Sequence, residues 1–361
     1  MKHKRILFLS ANWPADHPML LRWKHYYESR GLTFFSLHVN WNYYYPDRKR
    51  KFRQYVSLVT FMLRNGIFFI HANDLASGMA AAFLKKFSFF PFVYDAHEIF
   101  SHEMPLSSEQ PFYRQKKGEA EKTILTAADV VIVPNKQRIQ FFQQFHTGLE
   151  AVSFSFIENK SLAAYNIPVS AVFTEQLTPQ KFSLFYGGSF WYGRKQDEFP
   201  LIGQALAAAQ INFVLSGGRN EYLDALLKEP GPQYIGNIPA EQYCSFIEHI
   251  SIGLAWYVPT TINDELCAPL KIFDYLANGK PVLAARLPYL VELSERYPGI
   301  ITFFEPGNWR DCCEKAIEVT QQYTLIKQQL AVVSPEVFTW ETQYNSIDQE
   351  FLKANIKLCV E

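Results

Sequence analysis

Lys271 and Asp274 stand three residues apart in the stretch from Ala268 to Ala285, APLKIFDYLANGKPVLAA. A cation and a carboxylate at that spacing share one face of a helix, and near a positive helix N-terminus such a pair suits a nucleotide diphosphate. Taken alone, the two residues would read as an ordinary surface ion pair, which contributes little. Two further groups could carry chemistry. Asp95-Ala96-His97-Glu98 closes an apolar run, and flanking carboxylates can orient an imidazole, although Asp95 and Glu98 could equally cap the next helix. Phe185-Tyr186-Gly187-Gly188-Ser189 ends another apolar run in paired glycines, which permit close backbone approach to a ligand. Arg194 and Lys195 follow shortly after.

These residues need elements to hold them. Around Lys271 the pattern predicts helix, stop and buried strand: Leu270, Phe273, Leu276 and Ala277 recur at helical spacing, Pro269 suits the first turn, and Gly279 suits a C-terminal cap. Pro281 to Ala285 then runs apolar, as a parallel-sheet strand does. Strands are expected in the first half at Arg5–Ser10, Phe34–Val39, Phe68–His71, Phe92–Asp95, Val130–Val133 and Val152–Phe156, with helices near 18–30, 50–64, 75–87, 117–127 and 135–145. From about Lys181 the logic repeats, with strands at Phe182–Tyr186, Phe213–Ser216, Tyr234–Ile235, Ile252–Ala255, Pro281–Ala284 and Ile301–Phe304. The fold class is α/β, built as two doubly wound, Rossmann-like domains at 1–178 and 179–335. A linker falls around Asn159–Pro179, and a terminal helix occupies 336–361. Ligands of such sheets bind beyond the carboxyl ends of strands, which singles out Asn12, Asn73, Asp74 and residues 95–98.

The wording PLKIFDYLANGKPVLA closely resembles the donor-binding helix of GT-B-fold glycosyltransferases, especially glycosyltransferase family 4, where P-x-K-hydrophobic-x-E-Y-x-A-x-G-x-P-V recurs. The resemblance implies two Rossmann-like domains facing across a cleft, with the C-terminal helix crossing back to the first. It also implies that Asp274 holds the ribose hydroxyls of a nucleotide sugar and that Lys271 makes a further donor contact. Gly187 and Gly188 look like the family's glycine loop, which continues with arginine and, about two turns on, a lysine. Lys195 falls at the lysine position, Ser189 replaces the arginine, and Arg194 is the candidate substitute; the family's pair neutralises the departing diphosphate. Asp274 matches the second carboxylate of the family's Glu, seven residues, Glu motif. Leu266 occupies the first position, with Glu265 one place off. Pro259-Thr260-Thr261 matches a further landmark, and Gly236-Asn237-Ile238-Pro239 resembles the wall where backbone groups read the base, which makes Ile238 a donor-binding residue. VYDAHE at 93–98 resembles the family's first-domain histidine motif, so His97 is expected beside the transferred sugar, with Asp95 and Glu98 as its catalytic companions.

Length and composition agree with two domains: 361 residues, 48% hydrophobic and 19% charged, describe a globular chain. The apolar run in MKHKRILFLSANW is too short for a signal peptide, and nothing approaches a membrane span, so a cytoplasmic location is expected, with peripheral contact at the inner membrane face as a further reading. The five cysteines lack C-x-x-C spacing, which argues against a zinc site and a disulfide framework. No D-x-D and no G-x-G-x-x-G occurs, so neither an essential metal nor a dinucleotide cofactor is expected; the nucleotide diphosphate sugar is a co-substrate.

The zero net charge hides an asymmetry, since residues 1–178 hold 21 Lys and Arg against 14 Asp and Glu and the remainder the reverse. The first half therefore suits an anionic surface. Three tyrosines, Tyr43–Tyr45, precede the basic stretch Arg48–Arg53, which reads as a solvated turn or as a patch for an anionic membrane or polyanionic acceptor; nucleic acid is not expected. The expected activity is transfer of a sugar from a nucleotide diphosphate donor to a glycan or lipid-linked acceptor in surface polysaccharide or glycolipid synthesis. The resemblance implies retention of configuration; an inverting reaction would draw its base from Asp95, His97 or Glu98. A nucleotide-sugar epimerase and a catalytically silent partner subunit are the rival readings.

Overall fold

The computed structural model describes residues 4–11, 17–39, 48–86, 90–103, 111–163, 167–177 and 182–358. Asn12, Tyr43–Tyr45, Pro179, Lys181 and Cys359 lie outside them, as do the side chains of Arg48 to Phe52. The chain divides into two compact units, one of Met1–Glu158, Thr261–Asn263 and Gln343–Glu361, the other of Asn159–Thr260 and Asp264–Thr342.

The first unit alternates β1 (Arg5–Ser10), α1 (Pro18–Ser29), β2 (Thr33–His38), α2 (Arg48–Asn65), β3 (Ile67–Ala72), α3 (Leu75–Lys85), β4 (Phe92–Asp95), α4 (Pro111–Ala127), β5 (Val130–Val133), α5 (Lys136–Phe145) and β6 (Phe154–Phe156). Its strands form one parallel sheet in the order β2-β1-β3-β4-β5-β6. Because helices cover both faces of such a sheet, its inner strands run almost continuously apolar: Ile6 to Leu9 and Val130 to Val133 are buried without a break. The order reverses between β1 and β3, the position where open α/β sheets leave a crevice at their carboxyl ends. Asp74 ends β3 by capping α3, its carboxylate taking the Ser77 amide while the Ser77 hydroxyl returns to the Asp74 amide.

The second unit begins with the short α6 (Ala171–Thr174) and continues through β7 (Phe182–Gly187), α7 (Phe199–Ala208), β8 (Ile211–Ser216), α8 (Glu221–Leu226), β9 (Gln233–Tyr234), α9 (Ala240–Ile247) and β10 (Ile252–Ala255). After the short α10 (Ile262–Glu265), whose first two residues belong to the first unit, follow α11 (Leu270–Ala277), β11 (Val282–Ala285), α12 (Pro288–Arg296), β12 (Ile301–Phe304), α13 (Trp309–Gln321) and α14 (Tyr323–Val332). The sheet is again parallel, ordered β12-β11-β10-β7-β8-β9, and reverses between β7 and β10. On α11, Ile272, Phe273, Tyr275 and Leu276 are buried, and the helix stops through Gly279, whose left-handed φ of 60° lets the Lys280 amide reach back to the Tyr275 carbonyl. Pro269 precedes the helix as its cap residue instead of occupying the first turn.

The segment after Pro335 is not one helix. Two 3-10 turns, Pro335–Phe338 and Trp340–Gln343, precede α15 (Tyr344–Lys353). Phe338 and Trp340 are both buried, Thr339 bridges to Ser161, and the Trp340 amide donates to the Ser161 carbonyl, which fixes this stretch in the second unit. The same bridge draws residues from Asn159 onward into that unit, so the division falls after Glu158 and after Thr342. From Gln343 onward, through α15, the chain joins the first unit, where Asp348 accepts from Tyr26 on α1 and from the guanidinium of Arg30, which caps the end of that helix.

Candidate functional site

In the second unit the expected donor residues gather where β7 and β10 part. The chain leaves β7 through Gly187 and Gly188, and the turn leaves no room for side chains. A Cβ on Gly187 would lie 2.1 Å from the Tyr243 hydroxyl. Gly188 has φ 153°, and a Cβ there would lie 3.0 Å from the Lys271 ammonium. Lys271 thus reaches from the first turn of α11 to the glycine turn. Its Nζ stands 3.9 Å from the Tyr186 ring centroid and 5.7 Å from that of Tyr257, and the Arg194 guanidinium lies 5.0 Å from the same Tyr257 ring. Aromatic faces hold cations without neutralising them. Burial, then the Arg194 charge, pull the Lys271 pKa down to about 7, with Cys267 and Asp274 opposing. Two cations crowd one spot beside the glycine turn, which is an arrangement that favours an anion.

Of the two basic residues of this loop, Arg194 is the one whose charge acts on Lys271. Lys195 is exposed in a left-handed conformation, and its carbonyl accepts from the buried Trp256 indole at 3.0 Å. Gln196, fully buried, shapes this loop: its Nε2 donates to the Ser189 carbonyl and its Oε1 accepts from the Trp191 amide. Ser189 therefore contributes its backbone to the loop. Ile238 is buried, and its amide donates to the Ser216 hydroxyl at 3.3 Å. Asp274 is partly exposed one turn beyond Lys271. Sequence reasoning missed Tyr186, Tyr257 and Gln196; only the position of Tyr186 beside the glycines could have pointed to it.

In the first unit, Asp95 ends β4 buried, and its Oδ2 accepts from His97 Nε2 at 2.8 Å and from Trp23 Nε1 at 2.6 Å. His71 Nε2 stands 3.8 Å from the same oxygen, beyond hydrogen-bond length, while its Nδ1 meets the Tyr27 hydroxyl at 2.7 Å. Burial pushes Asp95 up, but the His97 charge and hydrogen bond, together with the nearby His71, outweigh it and hold the carboxyl well below its usual range. Burial holds His71 below its usual value, against the opposing pull of Asp95. His17, which caps α1, is pushed down to about 3 by burial, then by the charges of His97 and Arg22.

His97 is partly exposed, and its turn is held from beneath. The buried Arg138 on α5 donates to the Ala96 and His97 carbonyls. Asn263 accepts from the Ile99 amide at 2.8 Å and donates to the exposed Glu98 carboxylate at 2.5 Å. An Asp-bound imidazole on a fixed turn can accept or donate a proton, or bind a hydroxyl. Glu98 is engaged by Asn263, which makes it an anchor of the turn. Trp23, His71, Arg138 and Asn263 carried no local signal; each is distant in sequence from the residues it holds. Among the described residues no group of His, Cys, Asp and Glu could hold a metal ion.

Several solved structures share this architecture. Sucrose-phosphate synthase from Thermosynechococcus elongatus matches with a TM-score of 0.76 at 15% identity, over 97% of this chain and 99% of that one. The fold is GT-B. Anabaena HepE, solved with UDP and glucose, matches with a TM-score of 0.71 at 17% identity, over 97% of this chain and 100% of that one. A candidate UDP-N-acetylglucosamine 2-epimerase from Listeria monocytogenes matches with a TM-score of 0.63 at 10% identity, over 99% of this chain and 100% of that one. No family model matches the sequence, and no curated protein does.

Proposed function

We propose that this chain is a glycosyltransferase that takes a sugar from a nucleotide diphosphate donor. The observation that carries the reading is the Lys271 and Arg194 cation pair at the Gly187-Gly188 turn, with Asp274 one helical turn on. The cations suit the diphosphate and Asp274 the ribose hydroxyls. Lys195 and the Ile238 backbone complete the donor set. UDP in the HepE structure makes a uridine donor the first to try. His97, oriented by Asp95 and with Glu98 anchoring its turn, serves the sugar end of the reaction, and a glycan or lipid-linked acceptor receives the sugar with retention. Nothing in this scheme requires a metal or a resident cofactor.

The basic helix α2 carries Arg48, Lys49, Arg50, Lys51, Arg53 and Arg64 and no acidic residue, and it exposes Val56 and Leu63, which supports contact with an anionic leaflet. Among the described residues no helix is long and apolar enough to cross a membrane. The epimerase reading is kept alive by the Listeria neighbour. The test screens nucleotide sugars for protection against unfolding, then incubates the winner with and without lipid-linked acceptors and analyses the products by mass spectrometry and NMR. A glycosylated acceptor is the expected result. An isomerised donor formed without acceptor means an epimerase, and protection with no turnover means a silent binding subunit.

A further inference from the structure

The sequence marks Asp95 and His97 but gives no hint of what else acts on them. Trp23 is fully buried on α1, 72 residues away, and its indole N–H points at the same carboxylate oxygen that holds His97. Its bond, at 2.6 Å, is shorter than the 2.8 Å bond to the imidazole. His71 stands too far from that oxygen to compete, and its ring packs edge-on against the Trp23 indole, with centroids 4.5 Å apart. The indole is stacked on Tyr27 and meets Tyr26 edge-on, so its orientation is fixed from several sides.

We propose that Trp23 is a positioning residue of the Asp95 and His97 pair: by sharing Oδ2 it takes up part of the carboxylate charge and limits how strongly Asp95 draws a proton onto the imidazole. The physical ground is that a carboxylate's charge is divided among its donors, and each donor lowers what the others feel. A tryptophan suits this task because its N–H donates and never titrates. Among the described residues, titratable or charged groups around the pair include His71 on β3, His17 at the start of α1, Tyr27 and Arg22 on α1, and Tyr94 on β4. Arg138 on α5 and Glu98 act at the His97 turn itself. Tyr27 and Tyr94 keep their protons because burial raises both far above the usual phenol range, so neither competes for the carboxylate's proton balance near neutrality.

The inference rests on the functional reading only for its consequence in turnover; its structural part is tested without substrate. The full chain is labelled at its histidine rings, the His97 signal is assigned from a His97→Gln spectrum, and its titration is followed by NMR. In Trp23→Phe the pH at which the His97 ring titrates is expected to rise by about half a unit to one unit. Phenylalanine also leaves space in the core, so a second variant carries benzothienylalanine at position 23, which keeps the ring volume and replaces N–H by sulfur. It is expected to show the same rise with a smaller loss of melting temperature. The acid limb of the transfer-rate profile should move upward by the same amount. A lowered melting temperature with an unmoved His97 titration in both variants would overturn the proposal, whereas moved titration in a chain that transfers no sugar would count against the glycosyltransferase reading alone.

Discussion

Lys271 offers the most direct check on the donor site, because its environment sets a measurable proton count. With a pKa of about 7, its amine is roughly 90% neutral at pH 8. A diphosphate placed against it favours the charged form, so binding at pH 8 should take up about 0.9 proton at this site. The corresponding loss of affinity is about tenfold per pH unit above 8. Calorimetry of nucleoside diphosphate binding in two buffers of different ionisation enthalpy reads the uptake directly. Lys271→Arg keeps the cation but does not titrate in this range, so it should bind without that uptake, and any proton exchanged by the ligand's own phosphate cancels in the comparison. Equal proton uptake by wild type and Lys271→Arg at pH 8 would refute the placement of the diphosphate. Stability carries the same signature with a fixed sign. Between about pH 7, where the folded lysine titrates, and 10.5, its ordinary value, the unfolded chain holds a proton that the folded chain lacks, so this group's contribution to stability rises with pH. Lys271→Met should therefore stabilise the chain most below pH 7, by on the order of 2 kcal/mol, with the advantage gone above the ordinary lysine range.

Asp274→Ala should weaken nucleoside diphosphate binding by about 1.5–3 kcal/mol, the worth of hydrogen bonds to a charged acceptor, and should scarcely change binding of inorganic pyrophosphate; unchanged nucleotide affinity in calorimetry removes Asp274 from the ribose. Gly187→Ala should lower stability by about 1–3 kcal/mol, because its Cβ would lie 2.1 Å from the Tyr243 hydroxyl, and chemical denaturation should show part of the loss restored by adding Tyr243→Phe. His97→Ala should fold and bind nucleoside diphosphate as the wild type does, since the proposed diphosphate contacts all lie in the second unit, yet lose transfer. Wild-type transfer, or activity lost only in proportion to stability, would return His97 to the scaffold.

What the sequence could show followed from local rules. Buried parallel strands announce themselves as apolar runs, and α11 as a 3.6-residue period ended by Gly279, so both sheets and the helix of Lys271 and Asp274 were legible. Contacts made through long loops were not. The segment after Pro335 has the composition of a helix, but Phe338 and Trp340 are buried on either side of the Thr339 bridge to Ser161, and that tertiary pairing breaks the helix into turns. Nothing near Asp95 in sequence marks Trp23 or His71, and nothing near His97 marks Arg138 or Asn263. Such partners follow from the strand order, which no local pattern encodes.

One place where the sequence departs from the glycosyltransferase family 4 wording, Ser189, can be followed in the loop after β7. A serine at position 189 would leave the diphosphate without its guanidinium if loop positions had to be matched one for one. Gln196 holds the Ser189 carbonyl and the Trp191 amide together, and the 3-10 turn at Tyr192–Arg194 lies between Trp191 and Gln196. That turn carries Arg194 to the Tyr257 ring, close enough for its charge to depress Lys271. Lys195, the residue aligned with the family's lysine, takes the left-handed position that ends the turn and lends its carbonyl to Trp256. A diphosphate responds to where positive charge stands, and not to which loop position supplies it. In this chain the arginine arrives five residues late and the lysine comes from α11, and the two cations still meet beside the glycine turn.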